Sequence, residues 1–348
     1  MSSNEFILDS FLSDMAGNVD DLSGLNSGGT EPSSSVAFQE SGYEGKIDYR
    51  IRQLSYSSML SLHTCPRKFQ LYKLRTTAGA EESAKSTVTF AFGHVVGEGI
   101  QLALEGCSES EVIWKMFLGW HTDLFAEDPK LNKSFFQAVI AIKRFFSLRS
   151  GGFLEDYELV YYNGEPACEL SFAVVFPDGF RLRGFVDAVL RHKNTGKVIV
   201  LECKTTGSTT INPATYKNSA QAIGYSIVLD AIFPDLSAYE VLYLIYNTKS
   251  GEYLPLPFQK TYLQRALWIR ELLLDIETLK MYEEAEVYPM HGESCYSFFR
   301  ECEYLNVCQL STDYLTKACT PDQEDKTEYQ IVLTLDDLLT TQLAKADL

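Results

Sequence analysis

The chain has no run of 18 or more apolar residues, and its opening, MSSNEFILDSFLSD, has neither the basic start nor the apolar centre of a secretory signal. A membrane protein is therefore not expected, and the reading is a cytoplasmic one. Positive charge is scarce: 30 Lys and Arg stand against 47 Asp and Glu, a net charge of −17. That excludes a polycationic nucleic-acid coat. The pattern GxxxxGK[ST] is also missing, so any nucleotide-driven unwinding must come from another protein. No internal repeat is present.

The shortage of positive charge is uneven. Residues 1 to 50 hold nine acids and two bases, and residues 309 to 348 hold eight acids and three bases, which leaves a net charge of only −5 on residues 51 to 308. A local basic groove on that body stays open. With 348 residues, 45% hydrophobic and 13% aromatic, the chain can bury a sizeable core in one large domain or two small ones. Eight cysteines in a reducing compartment point away from a disulfide framework and toward metal or iron–sulfur ligation.

Residues 1–45 are rich in Ser, Gly, Asp and Glu and cannot offset their ordering entropy, so a disordered acidic N-terminal tail is expected. Phe6, Ile7, Phe11 and Leu12 are at roughly helical spacing and could form a short partner-docking helix, though a plain tail is the expectation. Residues 46–310 read as the folded domain and 311–348 as an acidic C-terminal tail. Ser55 can cap a helix through Met59 and Leu62, and Pro66 suits the first turn of the next. Three further amphipathic helices, around TFAFGHVVGEGIQLALEG, SEVIWKMFLGWHTDLF and SFFQAVIAIKRFFSL, make an α-rich N-terminal half. From Tyr157 the period becomes two. ACELSFAVVFPDG, FRLRGFVDAVLRH and KVIVLECKTT read as an antiparallel meander with turns at Asp178-Gly179 and Asn194-Thr195-Gly196. A helix over 216–233, a strand in YEVLYLIYNT and a long helix from Lys260 follow. The expected class is α/β, with a central mixed β-sheet flanked by helices.

The chemistry concentrates in GFVDAVLRHKNTGKVIVLECKTTG. Glu202 and Lys204 share a face of one strand because side chains alternate. A four-residue turn Lys193–Gly196 sets Asp187 across from Glu202, whereas a bulge at Gly196 would shift the register by one. Two facing carboxylates repel unless a cation sits between them, and a hard ion such as Mg²⁺ or Mn²⁺ suits them. The Cys203 carbonyl could add another oxygen, and Lys204 could orient a nucleophile or hold a phosphate oxygen, which points to hydrolysis of nucleic-acid backbones. A strand pair with solvated charges would read the same way.

These residues, followed by QAIGYS, resemble the core of the PD-(D/E)XK nuclease superfamily in its RecB-type branch. SYSSMLSLHTCPRKFQLYKL resembles that branch's N-terminal segment and GESCYSFFRECEYLNVC its C-terminal cysteine cluster, so the likeness runs in order over about residues 54 to 308. It implies a restriction-endonuclease-like core and a metal-dependent nuclease, usually exonucleolytic, acting in DNA recombination, repair or replication. Asp187, Glu202 and Lys204 would be the catalytic centre, with Gln221 and Tyr225 beside them on one helix face. The alternative is a catalytically inactive DNA-binding or assembly protein with the same fold. The substrate would be a single-stranded or duplex DNA end, with a helicase or recombination protein as a possible partner. Cys65, Cys295, Cys302 and Cys308 would hold a 4Fe-4S cluster, with zinc as rival. Arg67, Lys68, Lys73 and Arg75, interleaved with Phe69 and Tyr72, could track a phosphate backbone or form a solvated helix face. The family's metal-binding histidine, in G-x-x-x-H, falls on Gly97. Either His94, three residues earlier, substitutes or the site does without.

Overall fold

The computed structural model describes residues 51–73, 88–177, 179–233, 239–297, 300–308 and 328–339. All belong to the unit Ile47–Leu348. The expected N-terminal tail, residues 1–45, lies outside the described residues, as do Arg75, Asp178 and Cys319.

The chain enters through a two-residue strand, β1 (Gln53–Leu54), and turns at once into helix α1 (Tyr56–Thr64). Ser55 closes a capping box there: its side chain accepts from Ser58 N, and the Ser58 hydroxyl answers the Ser55 N–H. Pro66 opens α2 (Pro66–Lys73), where its missing N–H costs nothing. The three amphipathic patterns form α3 (Val88–Leu104), α4 (Glu109–Gly119) and α5 (Phe135–Ser150), with the small ribbon β2 (Glu127–Asp128) and β3 (Lys133–Ser134) between the last two. Strands follow: β4 (Tyr157–Leu159), β5 (Tyr161–Tyr162), β6 (Glu165–Pro166), β7 (Cys168–Val175), β8 (Arg181–His192) and β9 (Val198–Thr206). The helix expected over 216–233 is divided at Asn218 and Ser219 into α6 (Pro213–Lys217) and α7 (Ala220–Ile232). Then come β10 (Tyr239–Asn247), β11 (Glu252–Lys260), α8 (Tyr262–Glu284), a small ribbon of β12 (Tyr296–Ser297) and β13 (Arg300–Glu301), and β14 (Ile331–Thr334).

Eight strands make one mixed sheet in the order β11-β10-β9-β8-β7-β14, with β1 and β4 also paired to β8. The meander β7–β8–β9 is antiparallel as expected, while β10 runs parallel to β9 after a crossover through α6 and α7. The sheet is covered on both faces. Along β9, Val198 and Val200 face the cluster containing α1, α7 and α8, and Ile199 and Leu201 face the cluster containing α3, α4 and α5. A third, small cluster joins Leu71 of α2 to Tyr304 and Val307.

Among the strands that went unforeseen, two extend the central sheet at its edges. β11 contains Pro255 and Pro257, which argue against a central strand, yet it pairs with β10 at the edge of the sheet, where the missing N–H groups need no second partner. β14 lies inside the segment read as an acidic tail, and its parallel pairing with β7 carries the sheet past the C-terminal cysteines. Among the described residues no helix is long and apolar enough to cross a membrane.

Candidate active site

Strands β8 and β9 pair from Arg191↔Val198 to Ala188↔Leu201, which is the register that puts Asp187 across from Glu202. Gly196 supplies the turn at φ 68°. Beyond Ala188 the ladder stops, and the Cys203 N–H, having lost a strand partner, is taken instead by Asp187 Oδ2 at 2.8 Å. On the other edge of β8, pairing with β7 skips from Leu170↔Val186 to Cys168↔Ala188, with Glu169 between them in a left-handed conformation at φ 47°. Asp187 therefore sits where β8 parts from both neighbours. β9 meanwhile stays paired to β10 through Glu202↔Tyr243 and Lys204↔Ile245, so a cleft opens between the two meander strands.

Glu202 is fully buried in that cleft. Its Oε1 pairs with the Lys204 ammonium, and its Oε2 is buried without a hydrogen-bond partner among the described residues. Lys204 reaches on to Gln221 Oε1 at 3.3 Å, and Gln221 Nε2 donates to the Tyr225 hydroxyl at 2.6 Å. The four-residue spacing of Gln221 and Tyr225 on α7 makes this relay possible. Burial, then the charge of Glu202, pushes the Asp187 carboxyl well above the usual carboxylate range, against the pull of the Cys203 N–H. Burial likewise raises Glu202, against the charge of Lys204. Burial lowers the Lys204 pKa, but the charge and hydrogen bond of Glu202 more than reverse this. The pair thus resists double ionisation until a cation joins it.

Asp187, Glu202, Lys204, Gln221 and Tyr225 are together, as the spacing requires. Cys203 gives the site its N–H, while burial holds its thiol neutral. His94 is exposed and takes no part in this network. On α3, Gly93 faces β9, where its added Cβ would lie 3.7 Å from Thr205 Oγ1, and Gln101 faces β7, where it donates to Glu169 Oε1 at 2.9 Å. Gly97 lies midway between them at four-residue steps, and a Cβ there would meet open space.

Glu169, Gln101 and Tyr56 went unnoticed in sequence. Glu169 raises the pKa of both Asp187 and Glu202, and its signal was an acid inside the apolar run ACELSF. Gln101 is buried on an otherwise apolar helix face. Tyr56 begins α1 and packs edge-on against Tyr225 at 5.4 Å; nothing in its local sequence signals this.

The expected nucleic-acid contacts fare differently. Lys73 is only 8% exposed and donates to the Gln53 carbonyl. Arg67 donates from Nε to the Cys308 carbonyl at 3.0 Å, and Lys68 pairs with Glu303 at 3.5 Å. Arg67 and Lys68 thus join α2 to the C-terminal loop.

The same loop brings Cys65, Cys295, Cys302 and Cys308 around one cavity of about 80 Å³. Thr64 O accepts from Ser294 Oγ at 2.8 Å, and Cys302 N donates to Cys295 O at 2.8 Å, which pins the cavity walls. Burial raises the Cys308 thiol pKa, Arg67 opposes this, and the other three cysteines add to it. Among the described residues, no three His, Cys, Asp or Glu side chains are already gathered around a single ion position, either here or at the carboxylates. The donor chemistry still fits: four sulfurs share a cavity, and a buried carboxylate oxygen faces its neighbour without a partner.

A family model for the PD-(D/E)XK nuclease superfamily matches residues 53–309. Among solved structures, the crystal structure of SSO0001 is similar at 14% identity and a TM-score of 0.27, over 68% of this chain and 95% of that one. No protein with a curated description matches.

Proposed function

The chain belongs to the PD-(D/E)XK nuclease superfamily, and on that footing we propose that it is a metal-dependent deoxyribonuclease of the RecB-type branch that digests DNA from an end. The observation that carries this is the buried, partnerless Oε2 of Glu202 beside Asp187, two residues from a lysine on the same strand face. Asp187, Glu202 and the Cys203 carbonyl would hold Mg²⁺ or Mn²⁺. Such an ion, when bound, acidifies a water molecule and offsets charge on a phosphodiester.

The protein's own groups do the rest. Lys204, held charged by Glu202, supplies a fixed cation to a phosphate oxygen or orients the attacking water. Gln221 keeps the Lys204 ammonium aimed, and Tyr225 keeps Gln221 aimed. The apolar layers on both faces of the sheet keep bulk water from the back of the cleft.

Cys65, Cys295, Cys302 and Cys308 would hold a 4Fe-4S cluster that staples the first helices to the C-terminal loop. The absence of a side chain at position 97, together with the exposure of His94, supports the second reading: a DNA-binding relative that has lost catalysis. A helicase or recombination protein would supply the unwinding that this chain has no motif for.

Incubating the protein with end-labelled linear and with circular DNA, single-stranded and duplex, in Mg²⁺, Mn²⁺ or EDTA separates these readings. Metal-dependent loss of linear substrates alone is the expected result. Nicking of circles contradicts action from ends, and binding without cleavage in any metal favours the second reading.

A further inference from the structure

The hydroxyl of Tyr56 is a buried polar atom with no hydrogen-bond partner among the described residues, and so is Oε2 of Glu202. A buried donor and a buried acceptor left without partners each call for an explanation, because both are costly to leave unmade.

The backbone explains how Tyr56 arrives. β7 already occupies one edge of β8 at Leu182, so β1, pairing with Arg181 and Leu182, lies on the edge that β9 has vacated. α1 starts two residues after β1, and this delivers Tyr56 into the splay between β8 and β9. The neighbours make room for it. A Cβ on Gly224 of α7 would overlap the Tyr56 hydroxyl and lie 2.7 Å from its ring, and a Cβ on Gly184 of β8 would lie 3.2 Å from the ring. Phe172, Tyr225 and Trp268 enclose the remaining faces with centroids at 6.3, 5.4 and 6.0 Å.

We propose that Tyr56 is a positioning residue of the metal site: its hydroxyl, threaded through the slot that Gly184 and Gly224 leave open, donates to Oε2 of Glu202 and fixes the direction of that carboxylate toward the metal. A carboxylate oxygen has room for both a hydrogen bond and a metal, and Oε1 is already committed to Lys204. A tyrosine hydroxyl carries its proton at neutral pH, so Tyr56 has one to donate. The two groups are not hydrogen-bonded to each other as they stand, so the donation calls for a turn of the Glu202 carboxylate.

The inference rests on the metal site proposed above, and Mn²⁺ binding to purified metal-free protein tests both separately, with no need for DNA cleavage. The variants are Tyr56→Phe, Gly224→Ala and Asp187→Ala. Tyr56→Phe keeps the ring and removes only the hydroxyl, so it should melt no lower than wild type yet bind Mn²⁺ about tenfold more weakly, the scale of one charge-assisted hydrogen bond. Gly224→Ala, which displaces the hydroxyl, should weaken binding in the same direction. If Tyr56 were only a wedge in the core, Tyr56→Phe would bind Mn²⁺ as wild type does while Asp187→Ala lost it. That outcome overturns the role of Tyr56 and leaves the metal site standing. No binding by wild type, or undiminished binding by Asp187→Ala, overturns both.

Discussion

Glu202 owes its position to a conflict that the fold does not relieve, since one of its oxygens has a lysine and the other has nothing. Asp187, pressed against it, is pushed the same way by burial. Each group of the D…ExK set therefore depends on the others, and Asp187→Ala, Glu202→Ala and Lys204→Ala should each lower cleavage by about 100-fold or more. Circular dichroism should show the variants folded; equal rates in any of them would remove that residue from the site. Position 97 offers a test in the opposite direction. Its Cβ would meet open space between Gly93 and Gln101, on the face of α3 turned to β9 and β7. Gly97→His should tighten Mn²⁺ binding and add a few tenths of a kcal/mol from helix propensity. His94→Ala, at an exposed site, should leave Mn²⁺ binding unchanged. A Gly97→His protein with unchanged Mn²⁺ affinity would show that the histidine of the family pattern has no counterpart here.

At the scale of elements, the site was legible where alternation and spacing carry it. Ala188↔Leu201 is the register that a four-residue turn requires, and Gln221 and Tyr225 meet because they are four apart on α7. What the sequence hid depends on long-range packing. Glu169 matters because the β7–β8 ladder is interrupted where it lies opposite Asp187 with φ 47°, and Tyr56 because β1 fills an edge that β9 leaves. Neither event has a local signature. β11 was masked by its two prolines, tolerable only because it lies at the edge. The cations of α2 have partners with no local signature: Arg67 and Lys68 reach the cysteine loop and Lys73 reaches β1. That loop gives the element-scale prediction. Protein purified without oxygen should contain iron and acid-labile sulfide, and Cys302→Ser should lose both with a fall in melting temperature of about 5 °C or more. Stoichiometric zinc without iron would assign the four thiols to the rival metal.

For the whole molecule, the buried carboxylate pair ties stability to pH and to metal. Asp187 and Glu202 both have pKa values raised by burial, so between their unfolded and folded values the native state holds more protons than the unfolded chain. Metal-free stability from this pair therefore falls as the pH rises through that window and is recovered as the pH drops below it. Mg²⁺ or Mn²⁺ favours the ionised pair, so either ion should raise the melting temperature more at about pH 8 than at about pH 5. A shift that ignores pH would place the ion elsewhere. The net charge of −17 falls mainly on the two ends of the chain, leaving the body that carries the cleft nearly balanced. An anionic substrate meets little repulsion there. The account turns on whether that cleft breaks phosphodiester bonds with a metal held by Asp187 and Glu202. The most direct test is the rate at which purified wild type and Asp187→Ala release label from 5′-labelled linear DNA in Mn²⁺. The account predicts release by wild type that EDTA abolishes, and release at least about 100-fold slower by Asp187→Ala. Equal release by the two proteins would contradict it.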